Sequence, residues 1–88
     1  MISQEVIVCN DLGIHARPAA LIAQTSNKFA ADIWLEKDGV SANAKSIMNV
    51  MMLAAACKSK IIIRAQGMEE KPALEALVQL FEAKFNEK

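Results

Sequence analysis

The stretch Gly13-Ile14-His15-Ala16-Arg17-Pro18-Ala19-Ala20 determines where the first helix begins. Pro18 fits only in the first turn of a helix, because deeper in the helix its ring would clash with the carbonyl four residues back. His15 is therefore predicted to lie at or beside the helix start. There the first N–H groups lack intrahelical partners and the macrodipole is positive, which suits an anion such as phosphate.

The chemistry available at this helix start comes from His15 and Arg17. A helix N-terminus disfavours an imidazolium, so we expect the ring of His15 to act as a neutral nucleophile near neutral pH. Arg17 adds a permanent cation whose planar guanidinium matches phosphate oxygens. A lone histidine is more often a cap or an ordinary surface residue, but neither role requires the neighbouring glycine, arginine and proline. The residues by themselves indicate a histidine that faces an anion.

The remaining segments alternate between strand and helix patterns. Segments rich in Val and Ile predict four strands, and apolar residues at helical spacing predict three helices. The predicted strands cover residues 2–9, 31–37, 40–43 and 60–65. The predicted helices cover residues 16–27, residues 47–57 and a last helix that opens with Glu69-Glu70. The predicted buried stripe of the last helix consists of Leu74, Leu77, Val78, Phe81 and Phe85.

The element order β-α-β-β-α-β-α restricts the topology of the sheet. The helical crossovers and the Asp38-Gly39 hairpin turn make the first two strands run one way and the last two the other. Inserting the fourth strand between the first and second gives an antiparallel sheet in the order 1-4-2-3. The prediction is an α+β open-faced β-sandwich with three helices on one face, formed by a single domain over residues 1–88.

The composition argues against several classes of protein. Ten basic and ten acidic residues cancel, and only one Trp and three Phe are present, which argues against a nucleic-acid-binding protein. The longest apolar run covers the eight residues 50–57, and a membrane span needs about 18. Cys9 and Cys57 stand far apart in sequence without a CxxC pair, so neither a zinc site nor a disulfide framework is expected. We therefore expect a cytoplasmic protein without a metal, a signal peptide or a membrane segment.

The second predicted helix combines a capping serine with many apolar residues. Ser46 is positioned to accept a hydrogen bond from a free N–H in its first turn. A short helix in a small domain cannot be buried all round, so some of Ile47, Met48, Met51 and Met52 should reach the surface. These methionines either form an adaptable surface for partners or fill an irregular core. The helical periodicity does not distinguish the two possibilities.

Two stretches together carry a resemblance to a known family. Residues 13–19, Gly-Ile-His-Ala-Arg-Pro-Ala, and residues 43–48, Asn-Ala-Lys-Ser-Ile-Met, resemble the signatures of the histidine-containing phosphocarrier protein (HPr) family of the bacterial sugar phosphotransferase system. The resemblance spans nearly the whole chain in length, element order and motif position. It implies a phosphocarrier, not a stand-alone enzyme, that needs no cofactor. Such a carrier accepts a phosphoryl group from phosphorylated enzyme I, which draws it from phosphoenolpyruvate, and passes it to IIA domains of sugar transporters.

The resemblance also implies roles for individual residues. It implies that His15 carries the phosphoryl group on Nδ1 and that Arg17 neutralises the developing charge. It implies that an HPr kinase/phosphorylase modifies Ser46, with a transcriptional regulator as a further partner. The residues that match the exposed partner-binding surface of the family are Ile47, Met48 and Met51. The alternative is a regulatory or nitrogen-branch HPr paralogue that acts mainly by docking to a kinase, an enzyme or a transcription factor.

Two positions depart from the pattern of the family. Many members have glycine where this chain has Asn49 and Lys58. Asn49 lies next to the surface that the kinase would read. Lys58 is expected either to adopt a left-handed conformation or to shift the end of the second helix, because only glycine enters that region without penalty.

Overall fold

The computed structural model of the protein describes residues 1–87. The strands are β1 (Ile2–Ile7), β2 (Asp32–Lys37), β3 (Val40–Asn43) and β4 (Lys60–Gln66). The helices are α1 (Ala16–Ser26), α2 (Ile47–Met52) and α3 (Glu70–Glu82), followed by a turn over Lys84–Asn86. All pairings are antiparallel and the strand order is β1-β4-β2-β3. The predicted element order and sheet topology are therefore confirmed.

Alternating side chains along the strands separate the buried face of the sheet from the open face. In β4, Ile61, Ile63 and Ala65 are fully buried, whereas Ile62 and Arg64 are half-buried on the opposite face. This period of two is typical of an antiparallel sheet with one face packed on a core. The helix α3 packs on β1 and β4, and α1 packs against both α2 and α3.

The end of the second helix differs from its prediction. The helix α2 ends at Met52, five residues before the predicted end, and Ala54 leaves the helix with φ 50°. Lys58 has φ 76°, so it adopts the left-handed conformation as well. Its N–H donates to the Val8 oxygen at 2.6 Å, and the Val8 N–H donates to the Ser59 oxygen at 2.9 Å. Lys58 is thus the extra residue of a bulge where β1 meets β4. Backbone pairing with β1 outweighs the helical preference of the apolar run.

The C-terminal residues also depart from the prediction. The predicted stripe of α3 is buried, but Phe85 lies beyond the helix, in a turn where Lys84, Phe85 and Asn86 have φ 54°, 54° and 59°. The ring of Phe85 is fully buried and meets that of Phe81 edge to face, with centroids 4.9 Å apart. This anchor reverses the chain so that Glu87 returns to the start of α1.

Candidate functional site

His15 is the residue immediately before α1, as predicted. Its backbone is extended, and its carbonyl accepts the Ala19 N–H at 3.0 Å, so helical bonding begins at this residue. The imidazole is 38% exposed and caps no amide of α1 within the described residues. The side chain of His15 therefore does not serve as the cap of α1.

The backbone before His15 is held on both sides. The Gly13 N–H donates to the Asn10 oxygen at 3.1 Å, and the Ile14 N–H donates to the Ala55 oxygen at 2.8 Å. Gly13 has φ +70°, and a Cβ at this position would lie 2.5 Å from the Ala55 oxygen. Only glycine fits this position, because the left-handed backbone and the close approach both exclude a side chain. The loop therefore presents His15 at one place relative to α1.

The first turn of α1 is positive and open to a ligand. The turn Ala16-Arg17-Pro18-Ala19 contains no acidic residue, and the side chain of Arg17 is exposed. Pro18 has no N–H, while those of Ala16 and Arg17 occupy positions where a helix provides no acceptor. Unpaired amides and a guanidinium at the same helix end favour an anion bound beside His15.

Glu87 completes the site and was not predicted from the sequence. Its Oε1 lies 2.9 Å from Nε2 of His15 and accepts a hydrogen bond from Nδ2 of Asn10, also at 2.9 Å. Asn10 is fully buried, and the same nitrogen donates to the Gly13 oxygen at 2.6 Å. Because both neighbours of Nδ2 are acceptors, the orientation of this amide is determined. No motif links Glu87 to His15, since 72 positions separate the two residues.

The carboxylate of Glu87 determines which nitrogen of His15 carries a proton. Hydrogen bonds from His15 and then from Asn10 lower the pKa of Glu87 from its usual 4.5. The group is therefore ionised at neutral pH and can only accept hydrogen bonds. The proton of a neutral imidazole must then lie on Nε2, which leaves the lone pair on Nδ1. This assignment from hydrogen-bond partners distinguishes the two ring nitrogens, which sequence alone could not do.

Ser46 lies at the start of α2 and caps it as predicted. Its Oγ accepts the Asn49 N–H at 3.2 Å and the Asn49 Nδ2–H at 3.0 Å. Asn49 therefore contacts the hydroxyl directly. Within the described part of the chain, no hydrogen bond connects Ser46 to His15 or Glu87, so the two places are separate in the hydrogen-bond network.

The apolar residues of α2 form an exposed surface, which we call the methionine surface. Val50 is fully buried and holds the helix to the core, while the members of the surface are exposed. The methionine surface consists of Ile47, Met48, Met51 and Met52. Leu12 is also exposed, in the loop before His15, and sequence reasoning did not select it. The prediction that α2 places apolar side chains at the surface is confirmed.

Residues 1–87 contain neither a membrane-spanning helix nor a cluster of metal-ligating side chains. None of the helices there has the length and apolar character needed to cross a membrane. Over the same residues, His, Cys, Asp and Glu side chains form no group of three or more that could hold a metal ion.

Comparisons with known proteins agree on one family. Residues 2–83 match the family described as "PTS HPr component phosphorylation site". The phosphocarrier protein HPr of Treponema pallidum is 46% identical, with 99% of each chain covered. The HPr-like protein Crh of Bacillus subtilis is 48% identical over 88% of this chain and 91% of that protein. The crystal structure of HPr-C-His from Thermoanaerobacter tengcongensis superposes with a TM-score of 0.96 at 44% identity, covering 100% of this chain and 99% of that one.

Proposed function

Because this chain belongs to the HPr family of phosphocarriers of the phosphotransferase system, we propose that it accepts a phosphoryl group on His15 from phosphorylated enzyme I and passes it to IIA domains of sugar transporters. The observation that carries the proposal is the ring of His15 at the open, positive end of α1, with Nε2 bound to Glu87. The chain acts as a carrier between two larger proteins and not as a stand-alone enzyme.

The proposed transfer uses groups that surround the ring. The lone pair of Nδ1 attacks the phosphorus, an N–P bond forms, and the bond to the donor breaks with its electron pair left on the donor. Glu87 keeps the proton on Nε2 and stabilises the positive charge that develops on the imidazole. Arg17 and the first amides of α1 stabilise the phosphoryl oxygens, because phosphoryl transfer depends mainly on positioning and electrostatics. Transfer to a IIA domain is the same reaction with the carrier as donor.

The test is labelling with enzyme I and isotopically labelled phosphoenolpyruvate. An acid-labile label should appear on the wild-type chain and be lost in His15→Ala, which removes the only histidine. Ser46→Ala is the matched control and should keep the label. Phosphorus NMR then identifies the nitrogen, which we expect to be Nδ1. A label that persists in His15→Ala refutes the carrier, and a label on Nε2 refutes the role of Glu87.

The methionine surface and Ser46 favour a second candidate function. Exposed apolar side chains beside the serine that caps α2, together with similarity to an HPr-like protein Crh, support a regulatory module. In this alternative the chain docks through the methionine surface to a kinase, an enzyme or a transcriptional regulator, and a kinase modifies Ser46. A phosphate on Ser46 would place negative charge beside the apolar side chains and weaken docking to enzyme I without unfolding the chain.

Genetic complementation separates the two functions. Expression of this chain in a strain that lacks its sugar phosphocarrier should restore sugar uptake if phosphoryl transfer to IIA domains is its main role. A chain that is labelled on His15 but fails to restore uptake supports the regulatory or nitrogen-branch role. Transfer rates of truly Ser46-phosphorylated protein, compared with unmodified protein, test the effect of the serine directly, and equal rates would contradict it.

A further inference from the structure

Cys9 and Cys57 are distant in sequence but lie on facing segments, just beyond β1 and just before β4. The Lys58 N–H donates to the Val8 oxygen at 2.6 Å. Cys9 directly follows Val8 and Cys57 directly precedes Lys58, so the two cysteines flank this hydrogen bond. The second bond of the bulge, from the Val8 N–H to the Ser59 oxygen at 2.9 Å, holds the segments together on the other side.

This hydrogen bond limits the distance between the two cysteines. Cys57 and Lys58 lie in a turn and Lys58 is left-handed, so the spacing of a regular antiparallel pair does not apply to these residues. Even without regular ladder geometry, the peptide dimensions and the short Lys58 to Val8 bond keep the Cα atoms within about 8 Å. Native disulfides join Cα atoms about 4.4–6.8 Å apart. The range that a disulfide can span lies within this upper limit, so a bond between Cys9 and Cys57 requires at most a small approach of the two segments.

The side chains are available to react. Both thiols are free, and Cys9 is exposed while Cys57 is half-buried. The Cys9 thiol donates to the Ile7 oxygen at 3.4 Å, and a thiol is a weak donor, so rotation about its χ1 angle is not costly.

We propose that Cys9 and Cys57 form a reversible intramolecular disulfide when they meet a small-molecule disulfide such as oxidised glutathione. The exposed Cys9 thiolate attacks one sulfur of that molecule and expels a thiolate, which takes up a proton. The Cys57 thiolate then attacks the Cys9 sulfur of the mixed disulfide and expels the second thiolate. The two protein thiols lose two electrons and two protons, and the small-molecule disulfide becomes two thiols.

The disulfide would act on the loop that supports His15. Residues 54–59 carry the Ala55 oxygen that accepts the Ile14 N–H at 2.8 Å. A bond from Cys57 to Cys9 joins this segment covalently to the start of the loop that ends at His15, and so restrains its opening. The inference does not depend on the proposed phosphoryl transfer, because its test involves neither enzyme I nor His15.

The experiment titrates the purified chain with mixtures of reduced and oxidised glutathione, followed by alkylation and mass spectrometry. We expect a monomer that has lost two hydrogens, resists alkylation at both cysteines, yields a peptide pair linked between Cys9 and Cys57, and recovers on treatment with dithiothreitol. Hydrogen exchange of the Ile14 amide should slow several-fold in the oxidised protein. The variants Cys9→Ser and Cys57→Ser should show neither the intramolecular link nor the slower exchange.

Two results would overturn the proposal. Oxidation that stops at glutathione adducts or yields only covalent dimers would mean that the two sulfurs cannot meet within one chain. An intramolecular disulfide that leaves the Ile14 exchange rate unchanged would mean that the bond does not restrain the loop.

Discussion

Replacement of Gly13 by alanine should strongly disturb the loop that holds His15. The added Cβ would lie 2.5 Å from the Ala55 oxygen and 2.9 Å from the Ala56 Cα, and both are backbone atoms that cannot rotate away. The Ala55 oxygen also accepts the Ile14 N–H. Relief of the clash must therefore lengthen or break that hydrogen bond.

The cost can be worked out from these contacts. Alanine in a left-handed conformation costs about 1–2 kcal/mol, and the lower entropy of the unfolded chain returns about 0.4–1 kcal/mol of this. The clash and the weakened hydrogen bond add about 1–3 kcal/mol. We expect Gly13→Ala to lower the free energy of unfolding by about 2–4 kcal/mol, which a domain of typical stability survives.

The loss of stability in Gly13→Ala is measured by urea denaturation, with Gly39→Ala as the matched control. Gly39 has φ +81°, but an added Cβ would meet nothing within 4 Å. The control therefore bears only the backbone cost, about 1 kcal/mol or less after the entropy of the unfolded chain is counted. We expect Gly13→Ala to be the more destabilised by about 1–3 kcal/mol. Equal losses, or a larger loss in Gly39→Ala, would refute the argument that the backbone at residues 55–56 excludes a side chain.

Three further perturbations test other parts of the structure. Lys58→Gly should raise the free energy of unfolding, measured in urea, by up to about 1 kcal/mol, because it removes the strain of a left-handed residue with φ 76°. A variant less stable than the wild type would show that Lys58 is not strained. Ser46→Ala should lower the free energy of unfolding by about 1 kcal/mol, because the Asn49 N–H loses its acceptor. An unchanged urea midpoint would argue against a stabilising cap. The pKa of Glu87 is lowered from 4.5 in the folded state, so its contact with His15 stabilises the fold fully above that pH and is lost as the pH falls through the lowered pKa. NMR titration of the Glu87 carboxyl should follow this loss. The free energy of unfolding should depend less on pH below pH 4.5 in Glu87→Gln than in the wild type. A wild-type carboxyl that titrates at 4.5 or above would contradict the contact.

Local patterns predicted the features that depend on neighbouring residues. Pro18 requires the helix to begin near His15, because deeper in a helix its ring would clash with the carbonyl only four residues back. The predicted cap at Ser46 is confirmed for the same reason, since the hydroxyl meets an amide three residues on. The strand order also followed, because few antiparallel arrangements satisfy the predicted connections.

The end of α2 shows where local patterns fail. Apolar residues after Met52 are compatible with a helix by composition, but the chain there forms hydrogen bonds with Val8 and Ile14, which lie far away in sequence. Periodicity carries no information about such partners. The same holds for Phe85, which is buried as predicted but reaches the core from a left-handed turn beyond α3.

The sequence by itself determined the histidine at a helix start, the arginine beside it, the capping serine and the order of strands, because helical and strand periods, caps and turns act over a few residues. Only the tertiary structure decided that Glu87 meets Nε2 of His15, and that the segments next to Cys9 and Cys57 pair through the bulge at Lys58. These pairs form when the sheet closes and the C-terminal turn folds back. These pairs are stabilised by contacts between segments that lie far apart in sequence, and the spacing of such segments along the chain does not indicate which of them will meet.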